Sequence, residues 1–480
     1  FRGGVSDTNR AIADEVQFDV ADLDVGSEYP GLINRKLYPM SEPVWEKLSY
    51  KELKDLAYNV YKYKKGFITK VIIKGMKAKN GNLIPLITKY IFGPNDEIYD
   101  IQDSRIFEAE SIELALNSVD FKIVCDQYYI EDMEVLLTMT FDMDYLPKRL
   151  REFILDGYMN KTKFKGVKGK ELKYKLAKIY INAIYGIMAT YPIFDQYELG
   201  DDDLNKVPRT EEEMREALDK YNKNPNRFSY YLWGIYTAAY GHEQLCEGLK
   251  VVGSDVIACD TDSVKFRNKY KYLDKFKEIN KKIESEYRAI SERFNISWDK
   301  YSPSDPSGEK HIIGTWEDDS KNLVAIVSKR SKCYLKIFEK KAIVNEDLIK
   351  EMSEPGHVLL EGELKIGEEI KYRYYKLTTA GIKPKAALKE FQRRVDMGDF
   401  SSIEEAFIDN IVIPAEYTGK LSHIYHKDQE PYTYIDRDGN EYTMTNTHSI
   451  TLKEAPFAFT GKDINKEYYY GYFESEDCYL

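Results

Sequence analysis

Two spacings of apolar residues divide this chain. Strict alternation predicts a strand over Val16-Gln17-Phe18-Asp19-Val20-Ala21-Asp22-Leu23-Asp24-Val25, with carboxylates on one face, stopped by the turn Gly26-Ser27-Glu28-Tyr29-Pro30. Ile68–Ile73 and Leu83–Phe92 read as strands joined through the turn Asn80-Gly81. Ile312–Glu317 and Leu323–Val327 read the same way, and in the run that follows Lys332 and Tyr334 would share one strand face. Helical spacing predicts a short helix starting at Ser111 through Leu116, and longer ones over 171–187, 229–249, 270–298 and Lys383–Val395. Between residues 31 and 158 the mixture contains no repeat and no low-complexity tract. At 480 residues the chain exceeds one compact core, so an α+β protein of several subdomains is expected.

Chemistry concentrates at two places. Val256-Ile257 and Val264-Lys265-Phe266 flank Ala258-Cys259-Asp260-Thr261-Asp262-Ser263, a tight corner between two β-prone runs that carries two carboxylates. Such carboxylates repel unless a cation lies between them, and a few hard oxygens suit Mg²⁺ or Mn²⁺. Taken alone, an Asp-x-Asp turn is more often surface punctuation. In the helix 171–187, Lys178, Asn182 and Tyr185 fall on one face, while Leu172, Leu176, Ile179, Ala183 and Ile187 gather on the other, expected as its core face. A cation, an amide and an aromatic ring in a row suit a triphosphate, a sugar and a base.

Composition narrows the reading. With 43% hydrophobic and 31% charged residues, no apolar run of membrane-spanning length and no signal-like start, a soluble, cytoplasmic protein is expected. The five cysteines are scattered, without a C-x-x-C pair, which argues against a disulfide framework and a zinc site. The net charge of −11 discourages a uniform nucleic-acid footprint. The charges are segregated, however. Lys161, Lys163, Lys165, Lys168, Lys170, Lys173, Lys175 and Lys178 form a basic strip, and acids cluster at 201–203, 211–213 and 474–477. Residues 195–228, polar and acidic, read as a flexible excursion or small insertion, and the first residue, Phe1, suggests a fragment or processed product.

Five segments in order resemble the protein-primed, phi29-like branch of family B DNA polymerases. Asp24-Val25-Gly26-Ser27-Glu28-Tyr29-Pro30 is similar to motif A, D-x-x-S-L-Y-P. Lys178 through Gly186 is similar to motif B, K-x-x-x-N-S-x-Y-G, and Asp260-Thr261-Asp262-Ser263 to the core of motif C, Y-x-D-T-D-S. Lys332-Cys333-Tyr334 matches K-x-Y, and Phe1-Arg2-Gly3-Gly4 resembles the Y-x-G-G linker; weaker similarity runs through Thr379-Ala380-Gly381-Ile382, and the last 80 residues match poorly. Glu28, Ala183 and Ala258 depart from the pattern.

The resemblance implies a right-hand polymerase fold: a palm with an antiparallel sheet, helical fingers, a small thumb and two insertions. The expected division is 1–30 linker and first palm strand, 31–158 first insertion with palm elements, 159–189 fingers, 190–228 second insertion, 229–354 palm, and 355–480 thumb and C-terminal region. By the same resemblance, Asp24, Asp262 and the Val25 carbonyl would hold two Mg²⁺ ions, with Mn²⁺ as a substitute, and Asp260 would assist. Lys178 would neutralise phosphate, Tyr29 stack under the sugar against a 2′-hydroxyl, and Asn182 and Tyr185 line the nascent pair. Arg2, Gly3, Gly4, Thr261, Lys332 and Tyr334 would contact DNA, and one of Lys161, Lys163 or Lys165 would add a second phosphate contact. Implied partners are primer-template DNA, dNTPs and a terminal protein primer, around a monomer in an infected or element-bearing cell. The exonuclease domain that precedes the linker in relatives is missing from these 480 residues, so no proofreading is expected of them. The departures at Glu28 and Ala258 leave one alternative, a primase-like or template-independent nucleotidyltransferase; a second, an inactive DNA-binding relative, predicts loss of metal carboxylates, and Asp24, Asp260 and Asp262 are all present.

Overall fold

The computed structural model describes residues 3–88, 96–102, 105–190, 193, 196–199, 204–224, 230–379, 382–409 and 411–413, and the backbone of five short strands between 421 and 458. The chain starts with β1 (Ser6–Thr8), β2 (Val16–Phe18) and β3 (Val20–Val25), followed by helix α1 (Glu28–Arg35). The alternating run expected as one strand is therefore two. Asp19, at φ 50°, adopts the left-handed conformation that breaks a strand, and β2 and β3 pair in different sheets.

Next comes a meander of long strands, β4 (Lys65–Ala78), β5 (Arg105–Asn117), helix α2 (Ser118–Gln127) and β6 (Tyr128–Asp144), with β4 paired to both β5 and β6. Two expectations fail here. Ser111–Leu116 is strand, because Ile112, Leu114 and Leu116 alternate into the core; the cap belongs to Asn117, whose side chain accepts from the Val119 and Asp120 amides. The turn at Asn80-Gly81 exists, but Leu83–Ile87 form no strand and 89–92 lie outside the described residues. Pro85 cannot donate to a ladder, and side chains take over: Arg105 Nη1 donates to the Pro85 carbonyl and the Leu86 amide donates to Gln127 Oε1.

Helices α3 (Lys148–Phe164), α4 (Glu171–Met188) and α5 (Leu232–Val252) lead to the hairpin β7 (Val256–Asp260) and β8 (Ser263–Arg267). Helix α6 (Leu273–Phe294), β9 (Trp316–Asp318), β10 (Leu323–Arg330) and β11 (Cys333–Ile343) follow. The expected strand from Ile312 is shortened to Trp316–Asp318, because Gly314, at φ 72°, turns the chain and donates to the Gly26 carbonyl. The central sheet is antiparallel in the order β1-β7-β8-β3-β9. Behind it, Gly248 of α5 leaves room for Trp316, and Phe276 of α6 stacks on Phe266 at 5.6 Å.

The expected core face of α4 is also corrected. Ala177, Ile181, Ile184 and Met188 are buried, whereas Leu172, Leu176, Ile179 and Ile187 are exposed. Two apolar stripes compete on this helix, and its neighbours choose between them. Gly157 of α3 admits Ile181 so closely that an added Cβ would stand 2.5 Å from Ile181 Cγ2, and Gly234 of α5 does the same for the Met188 backbone.

The chain divides into two compact units, Phe1–Thr190 with Ser229–Glu339, and Tyr191–Phe228 with Lys340–Gly461. In the second, the stretch expected as a flexible excursion holds a hairpin (Gln196–Leu199 with Leu204–Val207) and a helix (Glu211–Lys223) with a Thr210–Glu213 capping box. The basic helix is Pro384–Asp396. Among the described residues no helix is long and apolar enough to cross a membrane, and Cys125, Cys246 and Cys259 are free thiols.

Candidate active site

Register across the central sheet lines up the acidic residues. Ser6 faces Asp260, Asp260 faces Ser263, Ser263 faces Asp24, and Asp24 faces Glu317, so one row at the end of four strand pairs carries Asp260 and Asp24. Asp262 sits in the two-residue turn beside them. Its carbonyl accepts from the Val25 amide at 2.8 Å, which ties the β3 end to the hairpin tip, and Thr261 takes φ 59° to make the corner. Burial, then the charges of Asp262, Asp319 and Asp22, push the Asp24 carboxyl up to about 7. Burial likewise raises Asp262, with Asp260 adding to it. Two carboxylates and the adjoining Val25 carbonyl are a hard-oxygen donor set that resists ionising without a cation, which fits a divalent metal of the Mg²⁺ class.

These groups line a cleft of about 370 Å³ whose opposite wall is helical. Lys161, Lys178, Asn182 and Tyr185 face it, so the expected Lys178–Asn182–Tyr185 row does converge with Asp24 and Asp262. The Tyr29 and Tyr185 rings lie 4.2 Å apart at 40°. Of the three candidate lysines, the cleft receives Lys161, whose Nζ donates to Ser27 Oγ at 2.7 Å; burial, and the Lys178 charge beside it, hold its pKa below the usual lysine range. Ser27 precedes α1 without capping it, so the first-turn amides of α1 add positive character to a floor already flanked by two lysines.

The DNA-contact candidates separate. Gly3 and Gly4 lie at the hairpin tip: the Gly3 carbonyl is 2.7 Å from His242 Nε2, and a Cβ on Gly4 would stand 2.6 Å from Thr261 Cγ2, so only glycine permits that approach. Arg2 lies outside the described residues. Lys332 and Tyr334 do not share a strand face. Lys332 is in the turn between β10 and β11, at φ 54°, and its Nζ bonds Asp260 Oδ1, which also accepts from Ser6 Oγ. Burial alone would raise Asp260; the bonds from Lys332 and Ser6 outweigh it and hold the carboxyl below its ordinary range. Tyr334 is buried, with its ring 4.6 Å from Lys265 Nζ.

No protein-family model matches the chain. The DNA polymerases of Bacillus phages phi29 and PZA match over 270 residues, at 23% and 22% identity, covering 55% of this chain. Phi29 DNA polymerase solved with primer-template DNA and incoming nucleotide aligns with 96% of this chain at a TM-score of 0.53 and 17% identity; its post-translocation complex with primer-template DNA aligns at 0.53 and 16%. The chain shares the fold of phi29 DNA polymerase. It spans 41% of the length of the curated phage polymerases and 61% of the solved phi29 chain.

Beside the residues expected by similarity to the phi29 polymerase, the structure adds three. Lys265, almost fully buried under the hairpin, pairs with Asp22 at 3.3 Å and donates to Ser263 Oγ at 2.7 Å. Lys336 closes on the other Asp22 oxygen at 2.7 Å. Burial opposes both charges of the Lys265–Asp22 pair, yet the mutual attraction wins: Lys265 is held above its ordinary value and Asp22 below. The third is Glu28, 3% exposed, whose Oε1 has no hydrogen-bond partner. Burial, then Asp262 and Asp24, push its carboxyl well up. The only sequence signals were alternation, which puts Asp22 on the face of Asp24 and Lys265 on that of Ser263, and the place of Glu28 in motif A.

Proposed function

We propose that this chain is the polymerising body of a template-directed DNA polymerase that adds dNMP to a 3′-hydroxyl by two-metal-ion nucleotidyl transfer. The observation that carries the reading is the convergence of Asp24, from the end of β3, and Asp262, from the β7–β8 turn, on one cleft with Lys161, Lys178, Asn182, Tyr29 and Tyr185. Asp24, Asp262 and the Val25 carbonyl would hold Mg²⁺ or Mn²⁺. Bound there, the ions would activate the primer hydroxyl and neutralise the triphosphate and leaving pyrophosphate. Lys161, Lys178 and the first turn of α1 take phosphate charge, so the protein's part is positioning and electrostatics. Tyr29 lies under the sugar, and Tyr185 and Asn182 bound the base. Gly3, Gly4, Thr261 and Lys332 face the primer end, and a terminal protein supplies the first hydroxyl.

Primer extension on a defined template tests this. The wild type extends with the templated dNTP, and Asp262→Ala loses at least ~10³-fold in rate while primer-template affinity stays within severalfold. Comparable extension by the variant removes the metal assignment. A second reading, a primase-like nucleotidyltransferase, is favoured by one feature, the carboxyl of Glu28 beside the sugar position, and predicts extension with rNTPs alone or without a template.

A further inference from the structure

Glu28 is the one acid lining the cleft that the proposed transfer does not use. Its Oε1 is buried with no hydrogen-bond partner. A buried carboxyl without a partner is costly in either protonation state, and a leucine would fill the space without that cost. The carboxyl also stands beside the Tyr29 ring. Both rest against the same glycine of α5, where a Cβ on Gly241 would lie 3.0 Å from Tyr29 Cε1 and 3.2 Å from Glu28 Oε2. Glu28 and Tyr29 line the cleft together with Asp24 and Asp262.

We propose that Glu28 is a specificity-determining residue that gives a ribose hydroxyl of the incoming nucleotide a hydrogen-bond partner beside Tyr29, so that this pocket tolerates ribonucleotides. The inference rests on the reading of the cleft as a nucleotide site. An aromatic ring under a sugar discriminates by shape alone, and a hydroxyl pressed against it loses its water without replacement. A carboxyl next to the ring replaces that water: ionised it accepts from the hydroxyl, and neutral it both donates and accepts. Oε1 is sealed from solvent, so the hydroxyl reaches it once the Glu28 side chain turns toward the cleft, and the two then satisfy each other.

Equilibrium binding of ATP and dATP, with Ca²⁺ in place of Mg²⁺ to prevent turnover, tests the assignment in the wild type, Glu28→Gln and Glu28→Leu. The wild type binds the two within about tenfold of each other; Glu28→Leu raises the preference for dATP at least tenfold further, through weaker ATP binding; Glu28→Gln, which keeps a donor and an acceptor, stays near the wild type. A preference in Glu28→Leu within twofold of the wild type overturns the proposal, as does a shift that arises from dATP alone. If Glu28→Leu does not fold, Glu28→Met carries the same comparison with a flexible apolar chain. Templated extension is scored on the same preparations. Glu28-dependent selection without extension supports this proposal and overturns the polymerase reading, whereas a wild type that binds neither nucleotide overturns both.

Discussion

Replacing Asp24 by Asn should make this protein more stable and catalytically dead. Burial and the neighbouring Asp262, Asp319 and Asp22 raise the Asp24 carboxyl from 3.8 to about 7 in the folded chain. The folded state therefore binds more protons than the unfolded chain between those values. The Asp24 contribution to stability is greatest below about pH 4, is lost as pH rises through about 7, and is least favourable at pH 8, where the charged carboxyl costs about 4 kcal/mol by linkage. Solvent reaching the cleft trims that to roughly 2–4 kcal/mol. Asparagine keeps the shape and removes the charge, so in EDTA the variant should exceed the wild type by roughly 2–4 kcal/mol at pH 8 and match it at pH 4. Urea unfolding at both pH values measures the difference, in which titrations common to both proteins largely cancel. Adding Mg²⁺ at pH 8 should stabilise the wild type and leave the variant nearly unmoved. The reasoning is refuted if Asp24→Asn is no more stable than the wild type at pH 8, or if the difference does not change with pH.

Lys265→Met leaves Asp22 with Lys336 alone and should cost about 3 kcal/mol in urea unfolding, part of which Asp22→Asn restores in the double variant. Tyr29→Val should raise the rNTP to dNTP incorporation ratio at least about tenfold, while Tyr29→Phe, which keeps the ring, should not; single-nucleotide kinetics decide it. Gly31→Ala would put a Cβ 2.8 Å from the Gly314 backbone and 2.9 Å from Tyr287 Oη, so it should destabilise by about 1–3 kcal/mol; a thermal midpoint equal to wild type would show that this contact yields.

Much of the candidate site was legible because its chemistry is local. The hairpin around Asp260 and Asp262 follows from β-prone runs meeting at an acidic turn, and the Lys178–Asn182–Tyr185 row follows from helical spacing on a helix that does form over Glu171–Met188. The errors share one cause. Each is a choice between two locally acceptable structures that distant residues make. Ser111–Leu116 satisfies a helix start as well as a strand until β4 supplies a ladder. The exposed stripe of α4 is as apolar as the buried one until Gly157 and Gly234 admit the latter. Lys332 and Tyr334 share a face only if the chain is extended at both, and the left-handed turn at Lys332 sends one to Asp260 and the other under the hairpin.

The sequence by itself determined which residues carry chemistry and which short segments present them, since motif spacing and apolar period depend on neighbours a few positions away. Tertiary structure alone decided the partners. Register set Asp22 opposite Lys265 and Asp24 beside Ser263, packing delivered Lys161 rather than Lys163 or Lys165 to the cleft, and burial left Glu28 Oε1 without a hydrogen bond. Charge interactions in a low-dielectric interior depend on separation and exposure, and both are properties of the folded chain.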